Sequence, residues 1–154
     1  MKLSQLLTEQ SIKIGLSHSD KRGIVEEMVG ILVSAGKVRE GAKLVDDAME
    51  REAKGSTGLA DGVAVPHCKV DGINQLLCSM AISHEGRDFD SLDGKPSHVF
   101  ILLAAPIWMS GPHVRALASV AKLSKSGDFL KRLRGASSPR EALGIITEEE
   151  TRSD

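Results

Sequence analysis

The sequence predicts a three-layer α/β/α sandwich built on a mixed β-sheet, and three observations carry that expectation. Apolar runs of strand length occur near the start ("SIKIGLS") and in the middle of the chain ("GVAVP", "QLLCSMAIS" and "HVFILLAA"). Segments of helical periodicity lie before and after the central runs, so helices are available for both faces of a sheet. Two helices separate the first strand from the second, enough for a parallel crossover, whereas the later connections are tight enough for antiparallel pairing. With 154 residues and no internal repeat or low-complexity linker, residues 1–154 read as a single domain.

The elements follow in order. Leu3, Leu6 and Leu7 predict a short N-terminal helix, and Ile12, Ile14 and Leu16 alternate as a strand does. Ser19 is placed to cap a helix from Asp20 to Ala35, with Ile24, Met28, Ile31 and Leu32 on one face and Gly36 as its stop. A second helix is expected over Glu40–Ala53, broken by the glycines of "REAKGSTG". The next strand is predicted to stop at Pro66, which has no N–H for a ladder, leaving His67 just beyond a strand end. "EGRDFDSLDGKPS" is a turn-rich loop between the last two strands. Beyond Pro106, Val114, Leu117, Ala118 and Ala121 mark the buried face of a helix. Short helices are expected over Asp128–Arg134 and Pro139–Ile146, followed by a frayed polar tail at 147–154.

Composition narrows the function. Twenty basic against 21 acidic residues give a net charge of −1, which lacks the basic footprint of a nucleic-acid binder. Aromatic residues are 3% of the chain, too few for a base-stacking platform or for gripping sugar rings. The N-terminus lacks the apolar core of a signal peptide, and "VFILLAAPIWM" is too short to span a bilayer. Cys68 and Cys78 form no C-x-x-C pair, and together these features predict a protein of the reducing cytoplasm without membrane insertion.

Chemistry has few places to reside. The five histidines form no metal-ligand spacing, "GSTGLADG" lacks the Lys-Ser/Thr ending of a phosphate loop, and G-x-S-x-G is missing. No metal or cofactor is therefore expected. His67 stands apart, because a neutral imidazole has a nucleophilic nitrogen near pH 7 and a phosphoryl group on it is readily passed on. Phosphoryl transfer demands alignment and positive electrostatics, and Arg51, near a helix end, has the planar fork for phosphate oxygens. Pro112 suits the first helical position and puts His113 in the first turn, where spacing alone reads it as a surface residue. His18, His84 and His98 read as structural or exposed.

The segment "REAKGSTGLADGVAVPHCKV", with "DFDSLDGKP", "FILLAAP" and "HVRALASVAKL", closely resembles enzyme IIA proteins of the phosphotransferase system, fructose/mannitol superfamily. The nitrogen-regulatory branch is the nearest in pattern, and the similarity runs from about Leu3 to Leu143. The resemblance implies that His67 is the phosphorylated histidine, by its V-P-H motif, and that Arg51 and His113 are active-site partners. It implies Nε2 as the nitrogen used. It also implies a small histidine-containing phosphocarrier protein as donor, and regulatory targets or a IIB domain as partners. A sugar-transport IIA component is the alternative within the family, and a binding module without phosphotransfer the alternative outside it. The sequence departs from the usual pattern at Ala60-Asp61, Cys68 and Pro112, none of which removes a candidate group.

Overall fold

Strand β5 (Ser97–Pro106) has no polar face. Val99, Ile101 and Leu103 point into one apolar core, and Phe100, Leu102 and Ala104 into another. A strand apolar on both sides must be covered on both sides, and this sets the layering. In the computed structural model, which describes residues 2–152, β5 pairs antiparallel with β4 (Leu77–Arg87), from Leu77 opposite Ala104 to Ile82 opposite Val99. β1 (Ile12–Ile14) adds in parallel outside β4. The other edge of β5 takes two short parallel strands, β2 (Val63–Ala64) and β3 (His67–Val70). The sheet is mixed, as expected.

Helices α1 (Lys21–Ser34) and α2 (Ala42–Ala53) cover the Phe100 face. Helices α3 (Ser110–Leu123), α4 (Gly127–Arg134) and α5 (Pro139–Arg152) cover the Leu103 face. The three-layer α/β/α architecture holds.

Five details differ from the sequence reading, each for a physical reason. Of the N-terminal leucines only Leu3 lies in regular structure, a 3₁₀ turn of three residues, Leu3–Gln5, because burying Leu3 and Leu7 needs no full helix. Asp20 rather than Ser19 caps α1, accepting the Gly23 N–H at 3.3 Å. The edge strand does not end at Pro66. The Pro66 carbonyl accepts the Leu103 N–H at 3.1 Å, so pairing resumes and His67 opens β3. Proline removes a donor but keeps its acceptor. On α3 the buried residues are His113, Ala116, Val120 and Leu123, one position off the predicted stripe, while Val114 is 65% exposed. Either set satisfies a period of 3.6, so packing decides between them.

Finally, the tail as far as Arg152 is helical rather than frayed. Glu149 and Glu150 are buried there: Glu150 accepts the Ser4 N–H, which docks α5 on the N-terminal turn, and Glu149 pairs with Arg152 within the helix. The remainder of the tail, Ser153 and Asp154, lies outside the described residues. Among the described residues no helix is long and apolar enough to cross a membrane.

Candidate functional site

The interruption of the edge strand builds the site. The Val65 carbonyl accepts a hydrogen bond from His67 Nδ1 at 2.7 Å. A carbonyl oxygen only accepts, so Nδ1 carries the proton and Nε2 keeps its lone pair. The tautomer follows from the backbone. Val65 is itself held by the preceding loop, donating its N–H to the Thr57 carbonyl at 2.9 Å, and Leu59 donates to Val63 at 2.7 Å.

That loop is anchored from below by Glu52, a buried acid on α2. Its carboxylate accepts from the Thr57 N–H at 2.9 Å, from the Thr57 hydroxyl, and from Lys21 Nζ at 2.9 Å. Lys21 also reaches Asp90 at 3.0 Å and lies over the Phe89 ring. Gly58 is required by space, since a Cβ there would come within 2.8 Å of the Phe89 carbonyl. A continuous set of contacts thus runs from α1 through Glu52, Thr57 and Val65 to the His67 ring.

His113 meets His67 edge to face, with ring centroids 5.7 Å apart at 74°. Lys69 Nζ donates to Ser110 Oγ at 2.6 Å and ties β3 to the first turn of α3. Pro112 is the third residue of α3 and His113 the fourth, where a missing N–H costs no helical bond. His113 is 5% exposed, not a surface residue, and its Nε2 is buried without a hydrogen-bond partner. A buried polar nitrogen left unpaired costs about 1–3 kcal/mol, which a ligand oxygen or proton donor would offset.

Arg51 completes one wall. It lies in the last turn of α2 and donates to the Gly55 carbonyl at 2.9 Å. His67, His113, Arg51, Lys54 and Lys69 line one cavity of about 430 Å³ together with the acids Asp47 and Glu50. Burial lowers the His67 pKa, the Val65 hydrogen bond works against this, and the Arg51 charge lowers it further. Burial also lowers the pKa of His113, helped by His67 and Lys69. Both rings are thereby held neutral at pH 7. Cys68, next to His67 in sequence, packs into the Phe100-side core while also bordering the cavity, and burial pushes its thiol up to about 12.

The three residues singled out in the sequence, His67, His113 and Arg51, therefore come together. The other histidines are used structurally: His18 meets Glu27, His84 the Ala136 carbonyl, and His98 the Ser83 carbonyl. Lys69 was not anticipated, although a strand's period of two puts it on the face of His67. Glu52 had no signal, because nothing in the pattern marks an acid next to Arg51 as buried.

Residues 5–149 match the family described as the phosphoenolpyruvate-dependent sugar phosphotransferase system, EIIA 2. The chain belongs to this family. EIIA relatives carry two kinds of name. The fructose-specific EIIABC component of Bacillus subtilis is 31% identical over 97% of this chain, which spans about a quarter (24%) of that protein's length. A nitrogen regulatory protein of Pseudomonas aeruginosa is 24% identical over 96% of both chains. Among solved EIIA structures, the nitrogen regulatory protein IIA-Ntr of Neisseria meningitidis superimposes with a TM-score of 0.85 at 27% identity, covering 94% of this chain and 98% of that one.

Proposed function

We propose that this single EIIA domain is a cytoplasmic phosphocarrier that takes a phosphoryl group on His67 Nε2 from a histidine-containing phosphocarrier protein. The observation that carries the reading is the Nδ1–Val65 hydrogen bond, which leaves a nucleophilic Nε2 at a cavity lined by three cations, Arg51, Lys54 and Lys69, against two acids, Asp47 and Glu50. In the transfer, the Nε2 lone pair forms the new N–P bond as the donor's N–P bond breaks. The electron pair of the broken bond returns to the donor's imidazole nitrogen. The His67 ring gains positive charge, and the Val65 carbonyl stabilises its Nδ1–H. Arg51 meets the equatorial oxygens with its fork, and the unpaired Nε2 of His113 is available to one of them or to a shared proton.

The donor is a protein, so a contact surface must surround the cavity. Ile107 and Trp108, on the approach to α3, and Val114, just past its first turn, are exposed at 53%, 70% and 65%. An exposed tryptophan with aliphatic neighbours is suited to anchoring a protein partner.

The regulatory role is the preferred reading of what happens next. The match to IIA-Ntr over nearly both chain lengths supports it, and the scarcity of aromatics agrees. About two negative charges arriving at the cavity would alter binding to a regulatory target by repulsion or pairing. The sugar-transport reading, with phosphate passed to a IIB domain, is favoured by the identity with the fructose-specific relative. The test begins with phosphoenolpyruvate, enzyme I and the phosphocarrier, reading intact mass. The wild type gains one acid-labile, alkali-stable phosphoryl group and His67→Ala gains none. Labelling of His67→Ala would remove His67 from the role. Rapid loss of the phosphate to IIB domains would establish transport.

A further inference from the structure

A second cavity, about 980 Å³, lies at the far end of α3 and shares no residue with the one at His67. One wall is the end of the sheet with His98 and the loop holding Lys95; the other is the α3–α4 turn with Lys125 and the α4 face with Lys131 and Arg134. His98 and Leu103, which pairs with His67, are five residues apart on β5, or roughly 17 Å at a strand's rise per residue.

The charges of this cleft are arranged differently from those elsewhere. Arg132, on the same helix, makes a two-pronged contact with Glu148 at 3.0 and 3.3 Å. Among the described residues, Lys95, Lys125, Lys131 and Arg134 form no ion pair. Arg134 is held instead by a neutral acceptor. His98 Nδ1 donates to the Ser83 carbonyl at 3.0 Å, so its Nε2 is free to accept from Arg134 at 2.9 Å. That ring is itself fixed, because Gly86 leaves room for it where a Cβ would come within 2.9 Å. An arginine oriented without a counter-charge keeps its full charge for something else.

Two carboxylates, Asp61 and Asp93, line the cleft against four cations; Asp93 accepts from the Lys95 N–H at 3.0 Å and the Asp61 N–H at 3.2 Å, and its charge offsets part of that of Lys95. Lys131 and Arg134 stand three residues apart on one helix face, opposite Lys95. The volume lies in the range of small-molecule sites.

We propose that this cleft binds a compact polyanion, an oligophosphate or a polycarboxylate, clamped between the Lys95 loop and α4. The site is independent of phosphoryl transfer at His67. It is tested by isothermal titration of the full chain with pyrophosphate, ATP, citrate and, as control, adenosine, at low ionic strength. Saturable one-site binding of pyrophosphate and ATP identifies phosphate, and binding of citrate identifies carboxylate; either weakens as salt is added. The double variant Lys131→Glu/Arg134→Gln should bind roughly tenfold or more weakly. His67→Ala and Arg51→Ala should bind as the wild type does. Retention of the wild-type melting temperature shows that the double variant is folded; should it unfold, Lys125→Glu with Lys95→Glu removes the charge from the opposite walls. The proposal is overturned if none of the three anions saturates, if adenosine binds as well as ATP, or if Arg51→Ala abolishes the binding.

Discussion

The centre of the sheet and its interrupted edge share a strand but behave differently. Along the centre, β4 and β5 pair continuously from Leu77 to Ile82, and β5 buries every residue from Val99 to Pro106. Along the edge, pairing to the same β5 breaks between Ala64 and His67. The carbonyls at the break go to different partners: Val65 accepts from the His67 ring, and Pro66 from Leu103. The centre supplies stability and has no spare polar group. The edge gives up regular pairing and gains a carbonyl that sets a histidine's tautomer.

The largest expected effect tests the central half of that contrast. Phe100, fully buried against Phe89, should cost about 3–5 kcal/mol when changed to Ala, read by urea unfolding. His67→Ala, half-buried at the edge, should cost about 1 kcal/mol or less while abolishing phosphorylation. Equal losses for the two would break the comparison.

Next, Arg51→Ala should slow phosphoryl transfer by ~10²–10³ with little loss of stability. Arg51→Lys should recover part of that rate, since charge returns without the planar fork. His113→Ala should slow transfer too, and its lost burial should show as a lower melting temperature. Wild-type rapid-quench rates in both alanine variants would sink their assignment.

Glu52→Gln reaches the edge through its support. Replacing the carboxylate that holds Thr57 and Lys21 should destabilise by about 1–3 kcal/mol. It should also slow transfer, because Thr57 holds Val65 and Val65 holds His67. A variant less stable yet equally fast would show that the loop's anchor does not reach the ring.

The smallest effect is the dependence on pH. His67 and His113 have pKa values below the ordinary histidine value, chiefly from burial, so the unfolded chain binds protons that the folded chain resists. Stability should be fully present above about pH 6.5 and decline as pH falls from there through the folded values. The His67→Ala/His113→Ala double variant should lose that slope. Glu27 works lower on the scale: burial raises it, but Lys13, the Ser17 N–H and His18 take it down to about 2. Its contribution is complete above the ordinary carboxylate range and is lost only as pH falls below that range.

Much of this was legible in the chain. The alternating and continuous apolar runs located β1, β4 and β5 to within a few residues, because a buried strand must be apolar where it meets a core. The strand end expected at Pro66 points to His67 and the planar fork near a helix end to Arg51, while the resemblance to EIIA proteins makes an active-site partner of His113, which spacing alone reads as a surface residue. Less was legible where several arrangements satisfy one pattern. The periodicity of α3 predicts a stripe one position from the buried one, since Val114, Leu117 and Ala118 keep the helical period as well as His113, Ala116 and Val120 do. The polar tail read as frayed because local polarity does not reveal that Ser4 lies within reach of Glu150.

By itself, then, the sequence determined the layers, the alternation of faces and the residue types able to carry a phosphoryl group. These depend on local pattern and side-chain chemistry. Only the tertiary structure decided which ring nitrogen is free, that His113 is buried against His67, and that Glu52 supports the loop beneath them. It alone placed Lys95 across a cleft from Lys131 and Arg134. Each of those depends on a contact between segments far apart in the chain, and the residues on either side of such a contact carry no local mark of it.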